Sequence, residues 1–161
     1  LLMLSPPAAD TLKQQPAPRD LSFVIDTSGS MHGDSMVQAR EALLLAINGL
    51  SSGDRFNIIE FNSDASRLFP ALTSVNDENI RRAINWVQAL KADGGTEMAS
   101  ALKLALPDQR RDGSRLHQLI FLTDGSVGNE SALFKLIEQR LGDSRLFPVA
   151  IGSAPNSYFM R

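Results

Sequence analysis

Asp26, Ser28 and Ser30 occupy alternate positions in Asp26-Thr27-Ser28-Gly29-Ser30, directly after the apolar run Leu21-Ser22-Phe23-Val24-Ile25. A loop leaving that run can turn both hydroxyls the same way as the carboxylate. Thr96, after Gly94-Gly95, adds a third hydroxyl, and Asp124, in Thr123-Asp124-Gly125, adds a second carboxylate. All five donors are hard oxygens, the ligand type for Mg²⁺, Mn²⁺ or Ca²⁺. Mg²⁺ requires octahedral oxygen coordination at about 2.0–2.1 Å and usually keeps some of its water. Two carboxylates and three neutral hydroxyls leave such an ion short of ligands. The open position suits a carboxylate from a partner.

Each piece alone has an ordinary explanation. Asp-x-Ser-x-Ser after a strand is commonly a turn and helix cap, Gly94-Gly95-Thr96 a loop with a capping threonine, and Thr123-Asp124-Gly125 a turn. It is their occurrence in this order, on the ends of buried strands, that points to a metal site. Other polar residues carry less. His32 reads as exposed, His117 as structural at a strand start, and Arg110-Arg111 as a solvated loop. Glu97 falls in the first turn of a helix, where negative charge is favourable, or else modulates the site. Trp86 and the methionines read as core or covered surface.

The elements that must position these residues alternate in type. Leu21–Ile25 is a buried strand. Apolar residues at Met36, Leu43, Ile47 and Leu50 predict a helix over 35–50. Arg55–Phe61 is the next strand, Asn62-Ser63-Asp64 a turn, and Ser66–Leu72 an antiparallel edge strand, where Pro70 is tolerated. Ile80, Ala83, Ile84 and Val87 mark a helix capped by Asn76 or Asp77. Met98, Ala101, Leu102 and Ala105 mark another, ended by Pro107. Leu116–Leu122 is a strand, and Leu133, Leu136, Ile137 and Leu141 share a helix face that stops at Gly142. Arg145–Ile151 is the last clear strand. The expected class is therefore α/β: a doubly wound, mostly parallel sheet with one antiparallel edge strand and helices on both faces. In such sheets ligands bind beyond the carboxyl ends of the strands, where strand order reverses. Asp26 and Asp124 each end a buried strand.

The chain's 161 residues fit one domain with a sizeable core. Its net charge of −2 argues against a nucleic-acid surface, which is usually basic. There is no cysteine, which excludes disulfides, thiolate metal sites and a cysteine nucleophile. No apolar stretch reaches the roughly 20 residues of a membrane helix. Residues 1–18, with Pro6, Pro7, Pro16 and Pro18, read as a lead-in from a preceding domain, and 19–161 as the domain itself. Tyr158, Phe159 and Met160 look like the opening of a helix that is cut short, so a C-terminal helix and strand are expected to be missing.

From Arg19 to Ser157 the chain resembles the von Willebrand factor A domain, also called the integrin I domain. Arg19-Asp20-Leu21-Ser22-Phe23-Val24-Ile25-Asp26-Thr27-Ser28-Gly29-Ser30-Met31, Asp54-Arg55-Phe56-Asn57-Ile58-Ile59, Gly94-Gly95-Thr96 and Ile120-Phe121-Leu122-Thr123-Asp124-Gly125 are similar to the inter-alpha-trypsin inhibitor heavy-chain type. In that group the A domain follows a VIT domain, and Leu1 to Pro7 resembles the junction. Bacterial members include sortase-target surface proteins. The resemblance implies a metal-ion-dependent adhesion site with Asp26, Ser28, Ser30, Thr96 and Asp124 as ligands. Glu97 departs from the Asn common in the animal heavy chains.

The expected function is a non-enzymatic, monomeric adhesion or protein-interaction module at the cell surface or outside the cell. Its ligand would be a protein or extracellular-matrix component presenting Asp or Glu, with no nucleic acid and no membrane insertion by this segment. One alternative is an intracellular assembly module, as in magnesium chelatase. A weaker one is a phosphohydrolase resembling the haloacid dehalogenase group. That group needs a second carboxylate two residues after the first, where this chain has Ser28.

Overall fold

The computed structural model describes residues 17–106, 114–125 and 130–152, with backbone only for 130–134. Among them the strands are β1 (Arg19–Asp26), β2 (Arg55–Phe61), β3 (Ala65–Arg67), β4 (Thr73–Ser74), β5 (Leu116–Thr123) and β6 (Arg145–Ala150). The helices are α1 (Asp34–Asn48), α2 (Asp77–Ala89), α3 (Met98–Ala105) and α4 (Glu130–Arg140). The lead-in up to Pro16, Pro107, Arg110-Arg111 and the Tyr158-Phe159-Met160 cluster lie outside the described residues.

The sheet order is β3-β2-β1-β5-β6, with β4 also pairing to β2. β1 lies in the middle, parallel to β2 on one side and to β5 on the other. β6 continues the parallel set beyond β5 and is an edge strand among the described residues, where Pro148 is tolerated. The chain thus leaves β1 toward one side and later returns to its other side, which makes the carboxyl end of β1 the point of reversal. Strand pleating divides the core. Leu21, Phe23 and Ile25 face α1 and α2, together with Phe56, Ile58, Leu43, Ile47 and Val87. Val24 faces the other way with Ile59, Phe61, Phe121 and Leu102, against α3 and α4. Residues 20, 22 and 26 share Val24's face by the period of two.

The expected edge strand over Ser66–Leu72 is replaced by two short antiparallel pieces, β3 and β4. The side chain of Asn57 interrupts the ladder between them. Its Oδ1 accepts from Phe69 N at 3.1 Å, and its Nδ2 donates to the carbonyls of Phe69 and Ala71 at 2.9 and 3.3 Å. A buried amide that satisfies the backbone this way lets the chain bend while Phe69 is buried against Phe56 edge to face. Asn76 caps α2 by accepting from Asn79 N at 2.8 Å, as expected.

At the amino end of the sheet the buried carboxylate of Asp20 is held by arginines. Arg55 grips it with two bonds of 2.8 and 2.6 Å, and Arg115 Nε adds a third at 2.6 Å. His117 Nδ1 lies 3.4 Å away, so this histidine is structural, as its sequence position suggests. Burial raises the Asp20 pKa, but the bonds and charges of Arg55 and Arg115 outweigh it and hold the carboxyl below its usual value. A depressed carboxylate pKa contributes stability above the unfolded value and loses it as pH falls through the folded one. Acid denaturation should therefore begin to draw on Asp20 below about pH 4. Asp20→Asn should flatten that part of the acid limb. At neutral pH it should cost about 2 kcal/mol, less than for a fully buried pair because Arg55 is 42% exposed. Urea unfolding of both proteins between pH 2 and 7 measures this.

Candidate metal centre

Asp26 is the last residue of β1 and has no exposed surface. Its Oδ1 accepts from Ser28 N at 2.8 Å, which turns the chain sharply off the strand. Its Oδ2 accepts from Thr123 Oγ1 at 2.8 Å, across the pairing with β5. Ser28 is buried and precedes a single 3-10 turn, Gly29–Met31, that carries Ser30. The turn brings the hydroxyls of Ser28 and Ser30 to 3.1 Å from each other. Met31 drops back into the core behind them with no exposure.

Asp124 follows Thr123 and is half-buried. The chain leaves β5 through Gly125, whose φ of 82° lies in the left-handed region and whose N–H donates to Thr123 Oγ1 at 3.1 Å. Thr123 thus fixes both the Asp26 carboxylate and the loop that carries Asp124. The segment with Thr96 is attached by its backbone. Asp93 N donates to Thr27 O at 2.8 Å, and Gly29 N donates to Gly94 O at 3.0 Å. Thr96 itself is exposed.

The five residues named from the sequence accordingly sit on three segments at the carboxyl edge of the sheet. Direct contacts join Asp26, Ser28 and Ser30. Asp124 lies close enough for its charge to act on Asp26, and Thr96 is reached through the backbone. One reading needs correction. Glu97 does not lie in the first turn of α3 but at its N-cap, exposed and making no side-chain cap bond. Thr27 and Thr123 escaped attention in the sequence. Thr123 could have been suspected as a hydroxyl at the end of an otherwise apolar strand. His32 is exposed, and Trp86 packs against the α1–α2 core.

Burial raises the Asp26 pKa most, and repulsion from Asp124 adds to it, against the lowering effect of the Ser28 and Thr123 bonds. Among the described residues the groups acting on this carboxylate include donors and a second anion, and no arginine or lysine. Such an arrangement lacks positive charge, and a divalent cation would supply it. Among the described residues no three His, Cys, Asp or Glu side chains cluster as metal ligands. This set differs from such clusters because three of its five donors are hydroxyls. The residues present fit a hard cation in donor type.

The family profile for the von Willebrand factor type A domain matches residues 19–160. The chain belongs to that family. The A domain is 38% identical over 154 residues to mouse inter alpha-trypsin inhibitor, heavy chain 4; the match covers 88% of this chain and 16% of that protein. In structure it is similar to a von Willebrand factor type A protein from Catenulispora acidiphila, with a TM-score of 0.79 at 26% identity, over 90% of this chain and 36% of the other. It is also similar to the manganese-loaded TRAP protein of Plasmodium vivax, with a TM-score of 0.72 at 25% identity, over 90% and 61% of the two chains. The A domain therefore spans a small part of the curated relative it matches.

Thr123→Val in this A domain keeps the side-chain shape and deletes the hydroxyl. It should leave Asp26 Oδ2 and Gly125 N without that partner and destabilise the fold by about 1–3 kcal/mol. Thr123→Ser should recover most of the loss. Chemical denaturation of the two variants in EDTA checks this.

Proposed function

We propose that this A domain is a non-enzymatic interaction module that binds an acidic group of a partner through a divalent cation. The observation that carries the reading is the buried Asp26 carboxylate, faced by Asp124 and a pair of serine hydroxyls, with no basic side chain among the described residues acting on it. Asp26, Ser28, Ser30, Thr96 and Asp124 would hold Mg²⁺, Mn²⁺ or Ca²⁺. When bound, the cation would supply a Lewis-acidic position for an incoming carboxylate.

The protein's part is to orient and to restrict. Thr123 and the Ser28 amide fix the Asp26 carboxylate so that it cannot swing away. The 3-10 turn sets the spacing of the two serines. Five donors leave one of the six positions of an octahedral ion open to an anionic group from outside. The manganese-loaded state of the TRAP neighbour supports this choice of ligand chemistry. The partner would be a protein or matrix component presenting Asp or Glu, met at the cell surface or outside the cell. Among the described residues no helix is long and apolar enough to cross a membrane.

Calorimetric titration with Mn²⁺ or Mg²⁺ should give one site. Asp26→Asn should abolish it and still fold, because the amide can accept from Ser28 N and donate to Thr123 Oγ1. A partner captured by the domain should be released by EDTA and by neutralising one of its own carboxylates. Capture that persists unchanged in EDTA would place the interaction on another surface.

A further inference from the structure

The loop carrying Thr96 is tied down at four successive points. Asp93 N donates to Thr27 O at 2.8 Å, and Gly94 O accepts from Gly29 N at 3.0 Å. Gly95 N donates to Ser63 Oγ at 2.8 Å. Glu97 N donates to Asn62 O at 2.5 Å. Two of the ties run to the loop after β1 and two to the turn between β2 and β3. Three of them use backbone acceptors, which any residue provides. The fourth uses the hydroxyl of Ser63, so it is the tie that depends on the identity of the accepting side chain.

The two ties to the β2–β3 turn bracket Thr96 on either side. The glycines are shaped to the same contact. A Cβ on Gly94 would lie 2.7 Å from Ser63 Oγ, and one on Gly95 would lie 3.4 Å from it. Gly94 also holds a φ of 74°, which side chains rarely adopt. The turn is itself braced. Asn62 N donates to Asp64 O at 2.8 Å, and Asn62 Nδ2 donates to Thr27 Oγ1 at 3.4 Å. Thr27 in turn donates to Phe61 O through both its amide and its hydroxyl, at 2.8 and 3.1 Å. The path from β2 to Thr96 is therefore short and hydrogen-bonded throughout.

We propose that Ser63 is a positioning residue for Thr96, which makes the β2–β3 turn a fourth structural part of the cation site beside the three ligand-bearing loops. The proposal rests on the cation reading above. Ser63 takes no part in ligation; its hydroxyl holds the Gly95 amide and thereby the place of the Thr96 hydroxyl. Outer-shell groups of this kind commonly change metal affinity when removed.

The test is Mn²⁺ titration by calorimetry on wild type, Ser63→Ala, Ser63→Thr, Thr96→Ala and the Ser63→Ala/Thr96→Ala double variant. It is joined to a count of metal-bound water by electron spin resonance at saturating Mn²⁺. Ser63 is exposed on a turn, so thermal unfolding should show each Ser63 variant folded. Ser63→Ala should bind about tenfold more weakly, and Ser63→Thr, which keeps the hydroxyl, close to wild type. Ser63→Ala and Thr96→Ala should each show one more bound water than wild type, and the double variant no more than either single one. Wild-type affinity and water count in Ser63→Ala would overturn the role of Ser63 and leave the cation reading standing. So would a loss from Ser63→Ala that persists in full on the Thr96→Ala background. Absence of Mn²⁺ uptake by wild type would overturn both.

Discussion

A carboxylate without solvent contact at the carboxyl end of the central strand is the constraint on which the rest of this molecule turns. Asp26 can sit there because Ser28 and Thr123 each give it a hydrogen bond. Those bonds satisfy the oxygens without cancelling the charge. The Asp124 charge beside it increases the strain on the ionised form. Negative charge is thus concentrated beside a pair of serine hydroxyls at the carboxyl end of the strand.

The same strand shows the contrasting solution. Asp20 and Asp26 lie on one face of β1, about 20 Å apart at the rise of an extended strand, and both are buried. Asp20 is answered by Arg55 at the start of β2 and by Arg115 just before β5, and has a depressed pKa. Asp26 has no such partners and a raised one. The charge at the amino end is neutralised by the protein itself and serves the fold. The charge at the carboxyl end is met, among the described residues, by the hydrogen-bond donors Ser28 and Thr123.

Sheet topology makes this division possible. β1 is paired in parallel on both sides, so its backbone is satisfied along its length and its ends are fixed relative to β2 and β5. Reversal of strand order at β1 opens the space beyond its carboxyl end, which the loops after β1 and β5 and the loop before α3 then line. The short 3-10 turn and the left-handed glycines at 94 and 125 let these loops approach closely.

Much of this was legible in the sequence, because it depends on residues near one another in the chain. Apolar runs mark β1, β2 and β5, helical spacing marks α1 to α4, and the three short motifs mark the loops at the strand ends. The bounds of β2 follow from local composition alone, which also narrows the α2 cap to Asn76 or Asp77. Tertiary structure decided what depends on distant partners. The edge strand breaks because Asn57, remote from it in sequence, takes its hydrogen bonds. Asp20 and Asp26 look alike in the sequence, as carboxylates flanking one apolar run, but folding sets Arg55 and Arg115 beside the first and Thr123 and Asp124 beside the second. Ser63 sits in an ordinary turn until folding sets its hydroxyl against Gly95. Local sequence specifies which groups are present and how the backbone turns, whereas the energy of a buried charge is set by the groups that the fold brings around it.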